Sequence, residues 1–364
     1  VSEQTWDPEI AALRERQRMA QEMGGAEKVA LQKAKGKLTV RERIDALLDA
    51  GTFREIGSIS GVASYNDDGT LAHYTPANFI LGRGRIDARP IVVAADDFTI
   101  RGGAAEATIH EKQVQAEQMA NELRLPIVRL IDGTGGGGSV KTLETSGFTY
   151  IPALPGWDWL VDNLATVPVV SLGLGPVAGL GAARLVSSHY SVLVKGIGQM
   201  FAAGPALVTA AGRAVTKDEL GGAEVHARSG AVDDLADDEA GALALARRFL
   251  SYLPSSVDAV SDRVAADDPA DRSERWLDGA IPRDRRLTYK MRPILEAIVD
   301  RDSLFEIGRR WGGSIITAFA RLDGWPVAVV ASDVSVSAGA WTAEAAQKLT
   351  RFVELAESFH LPRW

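Results

Sequence analysis

Two stretches concentrate glycine directly after runs of β-branched residues: Asp132-Gly-Thr-Gly-Gly-Gly-Gly-Ser139 and Gly173-Leu-Gly-Pro-Val-Ala-Gly-Leu-Gly-Ala182. Without a Cβ the backbone can approach a ligand closely, and where a strand passes into a helix the first N–H groups have no intrahelical partner. Two such donors aimed at a thioester oxygen form an oxyanion hole and can stabilise an enolate. Gly179-Leu180-Gly181 is the better candidate, because Ala182 and Ala183 continue it into a helical pattern. Both stretches can be written as G-x-G-x-x-G or G-x-G-x-x-A, but a dinucleotide site needs a βαβ unit with an acidic residue about 20 positions on. Gly138 is followed instead by a Pro/Trp-rich segment, Ile151 to Trp157, and Lys141-Thr142 stands too far from Gly138 for a phosphate P-loop.

Side-chain chemistry is sparse. The chain has no cysteine, which excludes a thiol nucleophile, a disulfide or a zinc–thiolate cluster, and its five histidines (His73, His110, His189, His226, His360) show no ligand spacing. No metal is expected. His226 is expected to bond neighbouring backbone and pin a loop. The acidic run Asp233-Asp234 with Asp237-Asp238-Glu239 precedes an Ala/Leu-rich helix and is expected to cap it. Arg283, Arg285, Arg286, Lys290 and Arg292 read as a solvated linker in preference to a phosphate site. Trp157 and Trp159 suit an acyl-pocket wall or the core equally.

These residues need elements to position them. Up to about Leu48 the pattern is charged and helical. From Phe53 to Val170 short β-branched runs such as Ile127-Val-Arg-Leu-Ile131 alternate with amphipathic stretches such as Ala105–Leu123, the rhythm of an α/β layer. A second unit follows, from Pro168 through the glycine loop to Val194. Periodicity lapses between about Ser255 and Arg286. The domains are therefore expected at 1–255 and 287–364, joined by a linker over 256–286.

An internal repeat supports that division. Arg85-Ile-Asp-Ala-Arg-Pro90 aligns with Arg321-Leu-Asp-Gly-Trp-Pro326, and the register runs without a gap to Leu125-Pro126 against Leu361-Pro362. Roughly thirteen of about 42 aligned positions are identical, including Asp97/Asp333, Gly103/Gly339 and Lys112/Lys348. Upstream, Glu55-Ile-Gly57 matches Glu306-Ile-Gly308. On this reading the second domain copies the first, and the 364-residue chain is expected to stop inside it. A net charge of −8 argues against nucleic acid, and without an apolar run long enough to span a bilayer or a leader-like start, neither a membrane nor export is expected. The expected compartment is the cytoplasm.

Several motifs in order carry a family resemblance: Gln32-Lys-Ala-Lys-Gly-Lys37-Leu-Thr-Val-Arg41-Glu-Arg43-Ile, Asp97-Phe-Thr-Ile-Arg-Gly-Gly103, Met200-Phe201 with Gly204-Pro205, Glu219-Leu-Gly-Gly-Ala223 with His226 and Ser229-Gly230, and Leu250-Ser-Tyr-Leu-Pro-Ser255. Together they resemble the biotin-dependent acyl-CoA carboxylases, specifically the carboxyltransferase β subunit of the propionyl-CoA type, over essentially the whole chain. The resemblance implies an α/β, crotonase-like (ClpP/crotonase) fold in two homologous domains, the second incomplete here. It implies an N-terminal domain that holds acyl-CoA and a C-terminal domain of a neighbouring subunit that holds carboxybiotin. Partners would be a biotin carboxylase and biotin carrier protein, in a homo-oligomer from dimer to hexamer. The carboxyl group would pass from carboxybiotin to the acyl α-carbon, with backbone-amide oxyanion holes steadying both enolates and no side chain required as base.

Residue by residue, the family's Gly-Pro-Cys-Ala-Gly-Gly-Ala stretch falls on Gly175 to Gly181. That puts the oxyanion amides at Gly179 and Leu180, with leucine where the family has its second glycine. Acyl-CoA contacts are implied at Thr134, Gly135, Gly136, Gly137, Gly138 and Gly181, although the first loop lacks the family's arginine. The biotin-side hole would lie beyond Trp364. A decarboxylase or transcarboxylase relative using the same acyl-CoA site, and a catalytically degenerate scaffold subunit, stay open as alternative functions.

Overall fold

The computed structural model describes residues 5–103, 110–133, 147, 156–202, 208, 212, 214–269 and 271–364. Three helices come first: α1 (Asp7–Gln21), α2 (Ala26–Lys33) and α3 (Val40–Leu47). Thr39 and Glu42 form a capping box at the start of α3, with the Thr39 N–H donating to Glu42 Oε2 at 2.7 Å and the Glu42 N–H donating to Thr39 Oγ1 at 3.3 Å. The box sets the helix so that Val40, Arg43, Ile44 and Leu47 are buried.

Next come β1 (Arg54–Ile56), a hairpin of β2 (Gly61–Tyr65) and β3 (Leu71–Pro76), β4 (Phe79–Ile86) and β5 (Arg89–Asp96). They lead into α4 (His110–Glu122), β6 (Ile127–Ile131), α5 (Trp157–Asn163), β7 (Val169–Gly173), β8 (Pro176–Ala178), α6 (Leu180–Val186), β9 (Tyr190–Val194) and β10 (Gln199–Phe201). The first unit closes with α7 (Lys217–Gly221), α8 (Ala223–Ser229), β11 (Asp234–Ala236) and α9 (Glu239–Ser251).

Its main sheet has the order β1-β4-β5-β6-β7-β9-β11. β1, β4 and β5 pair antiparallel, and β5 through β11 run parallel. Every residue of β6, β7 and β9 is buried, as expected of parallel strands covered on both faces. Arg129 is accommodated within β6 because Glu117 of α4 accepts from its Nε and Nη2, both at 2.8 Å. β8 and β10 form a separate short parallel ladder.

The second unit comprises α10 (Met291–Ile298), β12 (Phe305–Ile307), β13 (Ile315–Leu322), β14 (Trp325–Ser332) and α11 (Ala343–Ser358). It repeats α3-β1-β4-β5-α4 down to individual bonds. Asp49 accepts from the N–H groups of Asp87 and Ala88, as Asp300 does from Asp323 and Gly324. Asp97 accepts from the Thr99 N–H, and Asp333 from the Ser335 N–H. Left-handed φ values recur in pairs: 50° at Asp87 and 52° at Asp323, 50° at Arg101 and 49° at Ser337, 53° at Arg124 and 57° at His360. The Pro362 carbonyl accepts from Ala328 N–H at 2.8 Å, as the Pro126 carbonyl does from Val92 N–H. The β2–β3 hairpin has no counterpart between β12 and β13.

The two units share a core. Tyr190 of the first unit meets Phe305 of the second with ring centroids 5.7 Å apart, and Tyr252 meets Phe319 at 5.7 Å. Between α9 and α10 the described residues form one short 3-10 turn, Arg275–Gly279. No helix among the described residues is long and apolar enough to cross a membrane.

Candidate active site

In a parallel sheet, ligands bind beyond the carboxyl ends of the strands. Here β5, β6 and β7 are neighbours, and their loops leave at Asp97, Asp132 and Leu174. Glycine lets these loops touch. A Cβ on Gly103 would stand 2.6 Å from the Asp132 carbonyl oxygen, and one on Gly181 would stand 2.9 Å from the Gly133 carbonyl oxygen. One on Gly175 would fall 2.0 Å from Asp132 Oδ1 and 2.5 Å from Lys37 Nζ. Thr134, Gly135, Gly136, Gly137 and Gly138 lie outside the described residues.

The second loop turns into α6 at Gly179, with φ 56° and ψ −119°, a conformation open to glycine alone. Leu180 lies past this turn with negative φ, so the leucine is unstrained where the family resemblance expected glycine. The amides differ from the sequence expectation. The Gly179 N–H donates to the Phe201 carbonyl at 3.0 Å, extending the β8–β10 ladder, and is spent there. The N–H groups of Leu180 and Gly181 have no partner among the described residues. Strand pairing therefore consumes the Gly179 N–H that the sequence expected to be a free donor. Gly181 is itself buried, where an unpaired N–H is costly until a ligand accepts from it.

Beside these loops lies a cleft of about 580 Å³ whose lining includes Gly102, Phe98, Pro176 and Gln199. Lys28, Lys35, Lys37, Arg101 and Lys217 also line it, and among the described residues no carboxylate does. In a chain of net charge −8, that local concentration of cations favours a polyanionic ligand. Sequence reasoning did not assign Lys28, Lys35, Arg101 or Lys217 to a site. The available signals were Lys35 in the motif that begins at Gln32 and Arg101 in the Asp97–Gly103 motif, both of which carried the resemblance without being given a role.

Beneath the loops the ion pairs form a connected set. Lys37 Nζ and Arg43 Nη1 both approach Asp132 Oδ2, at 2.5 and 2.8 Å. Arg43 also binds Glu239, and its Nη2 donates to the Leu174 carbonyl at 3.0 Å. The Asp132 N–H donates to Asp96 Oδ2, and Arg184 of α6 pairs with Asp96 Oδ1 at 3.1 Å. Burial pulls the Lys37 ammonium below the usual lysine range, and Asp132 pulls it back. Burial pushes Asp96 above the usual carboxylate range, against the pull of Arg184.

The remaining sequence candidates find structural employment. His226 donates Nε2–H to the Met200 carbonyl at 2.7 Å, the loop-pinning bond expected. Capping holds for Asp238, which accepts from the Gly241 N–H. Asp233 and Asp234 depart from it: Asp233 accepts from the Ser191 N–H and hydroxyl, and Asp234 from the Tyr190 hydroxyl. Of the basic run, Arg286 pairs with Asp284 at the surface and Arg292 with Glu306 and Asp333. Trp157 and Trp159 are half-buried.

Comparison with known proteins decides the family. Residues 31–363 match the carboxyl transferase domain model. The chain belongs to the carboxyl transferase domain family. Biotin-dependent carboxyl transfer to an acyl-CoA, the activity expected from the sequence, is the activity of this carboxyl transferase, and the crotonase-like fold is its fold. The propionyl-CoA carboxylase carboxyltransferase subunit of Haloferax mediterranei is 32% identical over 360 residues, covering 98% of this chain and 69% of that protein. The methylmalonyl-CoA decarboxylase subunit alpha of Veillonella parvula is 29% identical over 364 residues, covering 98% and 70%. Among solved structures, the hexameric transcarboxylase 12S with hydrolysed methylmalonyl-coenzyme A bound has a TM-score of 0.86 at 28% identity, covering 99% of this chain and 70% of that one.

Proposed function

We propose that the acyl-CoA half of the transfer reaction takes place where β5, β6 and β7 end, with the N–H groups of Leu180 and Gly181 as donors to the thioester oxygen. One juxtaposition supports this: two amides without partners among the described residues follow shortly after Pro176, which lines a cleft whose described lining carries five cations and no acid. The phosphates of CoA suit the ammonium groups of Lys28, Lys35 and Lys217, which act as point charges on flexible stems. The thioester then passes Pro176 to reach the amides. Loss of the α-proton moves negative charge onto the thioester oxygen, so donors already in place bind the enolate more strongly than the ground-state carbonyl. Thr134, Gly135, Gly136, Gly137 and Gly138 complete the acyl-CoA contacts in this reading.

Carboxybiotin, delivered on a carrier by a biotin carboxylase partner, supplies the carboxyl group. A homo-oligomer, from dimer to hexamer, is the proposed assembly, and the hexameric transcarboxylase supports it.

The decisive assay combines the protein with a biotin carboxylase and carrier, ATP, labelled bicarbonate and a panel of short acyl-CoAs. Carrier-dependent, acid-stable label in the acyl-CoA is the expected result. Decarboxylation of a carboxyacyl-CoA without forward labelling would support the decarboxylase alternative instead, and an intact complex silent in both directions would support the scaffold.

A further inference from the structure

We infer that Arg43 is a positioning residue: its buried guanidinium fastens the ends of β6 and β7 and thereby sets the Leu180 and Gly181 amides at the spacing an enolate oxygen requires. The inference rests on the proposed donor role of those amides.

Arg43 is fully buried on α3, far in sequence from either glycine loop. Its Nη1 holds Asp132, the residue after β6 and the last before the first glycine loop, and its Nη2 holds the carbonyl of Leu174, where the second loop begins. Nε and Nη2 bind Glu239 at the start of α9, which fixes the orientation of the fork. From Asp132 the chain of contacts continues through its own N–H to Asp96, and from Asp96 to Arg184 on α6, the helix that opens with the Leu180 and Gly181 amides. A planar fork can hold two loops in one geometry; a lysine ammonium cannot reproduce that pattern.

The internal repeat separates what the fold needs from what the site needs. Arg41 pairs with Glu55 in the first unit, and at the matching place Arg292 pairs with Glu306 in the second. That ion pair belongs to the shared architecture. Arg43 has no such counterpart: α3 and α10 align from Val40 with Met291 to Leu47 with Ile298, which puts Ile294 opposite Arg43. Asp96 likewise falls opposite Ser332. The repeated unit thus forms with an aliphatic residue at this place, in keeping with the rule that buried ion pairs are often replaceable for stability. In the first unit the same place carries Arg43, which joins the segment at Asp132 to the segment at Leu174.

The test uses the full protein in its assembled carboxylase. It measures kcat, KM, dissociation constants for acyl-CoA, and binding of a CoA thioether bearing a nitroalkyl chain, whose nitronate is a planar oxyanion like the enolate. In Arg43→Lys, kcat and nitronate affinity are expected to fall together by about 30-fold or more, because a misplaced donor pair loses the charged state selectively. Acyl-CoA affinity should stay within about threefold. Asp132→Asn, which keeps the Arg43 fork but removes its charged partner, should show the same split and decides the matter if Arg43→Lys does not fold. Equal losses in both affinities, or nitronate binding unchanged in the folded variants, would overturn the inference. Leu180→Pro, measured alongside, tests the underlying reading: if it leaves nitronate affinity intact, the donor role itself is wrong. If Leu180→Pro abolishes that affinity while Arg43→Lys and Asp132→Asn retain it, only the positioning role of Arg43 is refuted.

Discussion

Replacing Leu180 by proline isolates one N–H with little else disturbed. Leu180 is the first residue of α6, the position where helices accept proline most readily, since its N–H makes no intrahelical bond. The preceding Gly179, at φ 56° and ψ −119°, is outside the right-handed region that a following proline disfavours. The side chain is half-buried, so its loss costs on the order of 1 kcal/mol of stability. Leu180→Ala, which loses most of the same side chain but keeps the donor, controls for that loss. If the amide donates to the thioester enolate, Leu180→Pro should lower kcat by about 100- to 1,000-fold, some 3–4 kcal/mol of transition-state stabilisation. Leu180→Ala should stay within about threefold of the parent, and KM should change little in either. Steady-state kinetics on the assembled carboxylase, with urea melts to match the folded fraction, reads both numbers. A Leu180→Pro enzyme within threefold of Leu180→Ala would refute the assignment, because a catalytic donor cannot be deleted at so small a cost.

Two further outcomes follow from the charges. Lys35→Glu or Lys217→Glu is expected to raise KM for acyl-CoA by about tenfold with kcat nearly unchanged, and the difference should shrink in high salt; an unchanged KM would remove CoA phosphates from the cleft. His189 is fixed as a neutral ring: its Nδ1 accepts from the Val169 N–H, its Nε2–H donates to the Leu164 carbonyl, and burial lowers its pKa to about 4 from 6.5. The unfolded chain therefore takes up the proton first as pH falls, so this contribution is complete above pH 6.5 and is lost toward pH 4, about 3 kcal/mol in all. Denaturant melts of His189→Gln should lack that pH slope, and an identical slope would assign it elsewhere.

The second unit keeps much of the first unit's internal bracing. It preserves the turn-holding carboxylates Asp300 and Asp333, the Arg292–Glu306 pair and the buried Lys348, whose pKa burial brings down to about 8. It lacks the Arg43 equivalent and the β2–β3 hairpin. Architecture was duplicated more faithfully than the supports of the glycine loops.

What was legible in the sequence was local. Asp49/Asp300 and Asp97/Asp333 hold backbone groups within their own unit, so the repeat survived as aligned residues. The strand-then-glycine-then-alanine order marked the turn into α6, because the conformational freedom of Gly179 is a property of that residue. Three matters were decided only in the tertiary structure. Gly179 loses its donor to Phe201 because β8 pairs with β10, and no local pattern states which strand will be neighbour to which. The cationic cleft gathers Lys28, Lys35 and Lys37 with Arg101 and Lys217 from distant parts of the chain. Arg43, one more arginine in a charged helical stretch by sequence, becomes the contact between two loops because burial on the inner face of α3 leaves its five donors no water to bind.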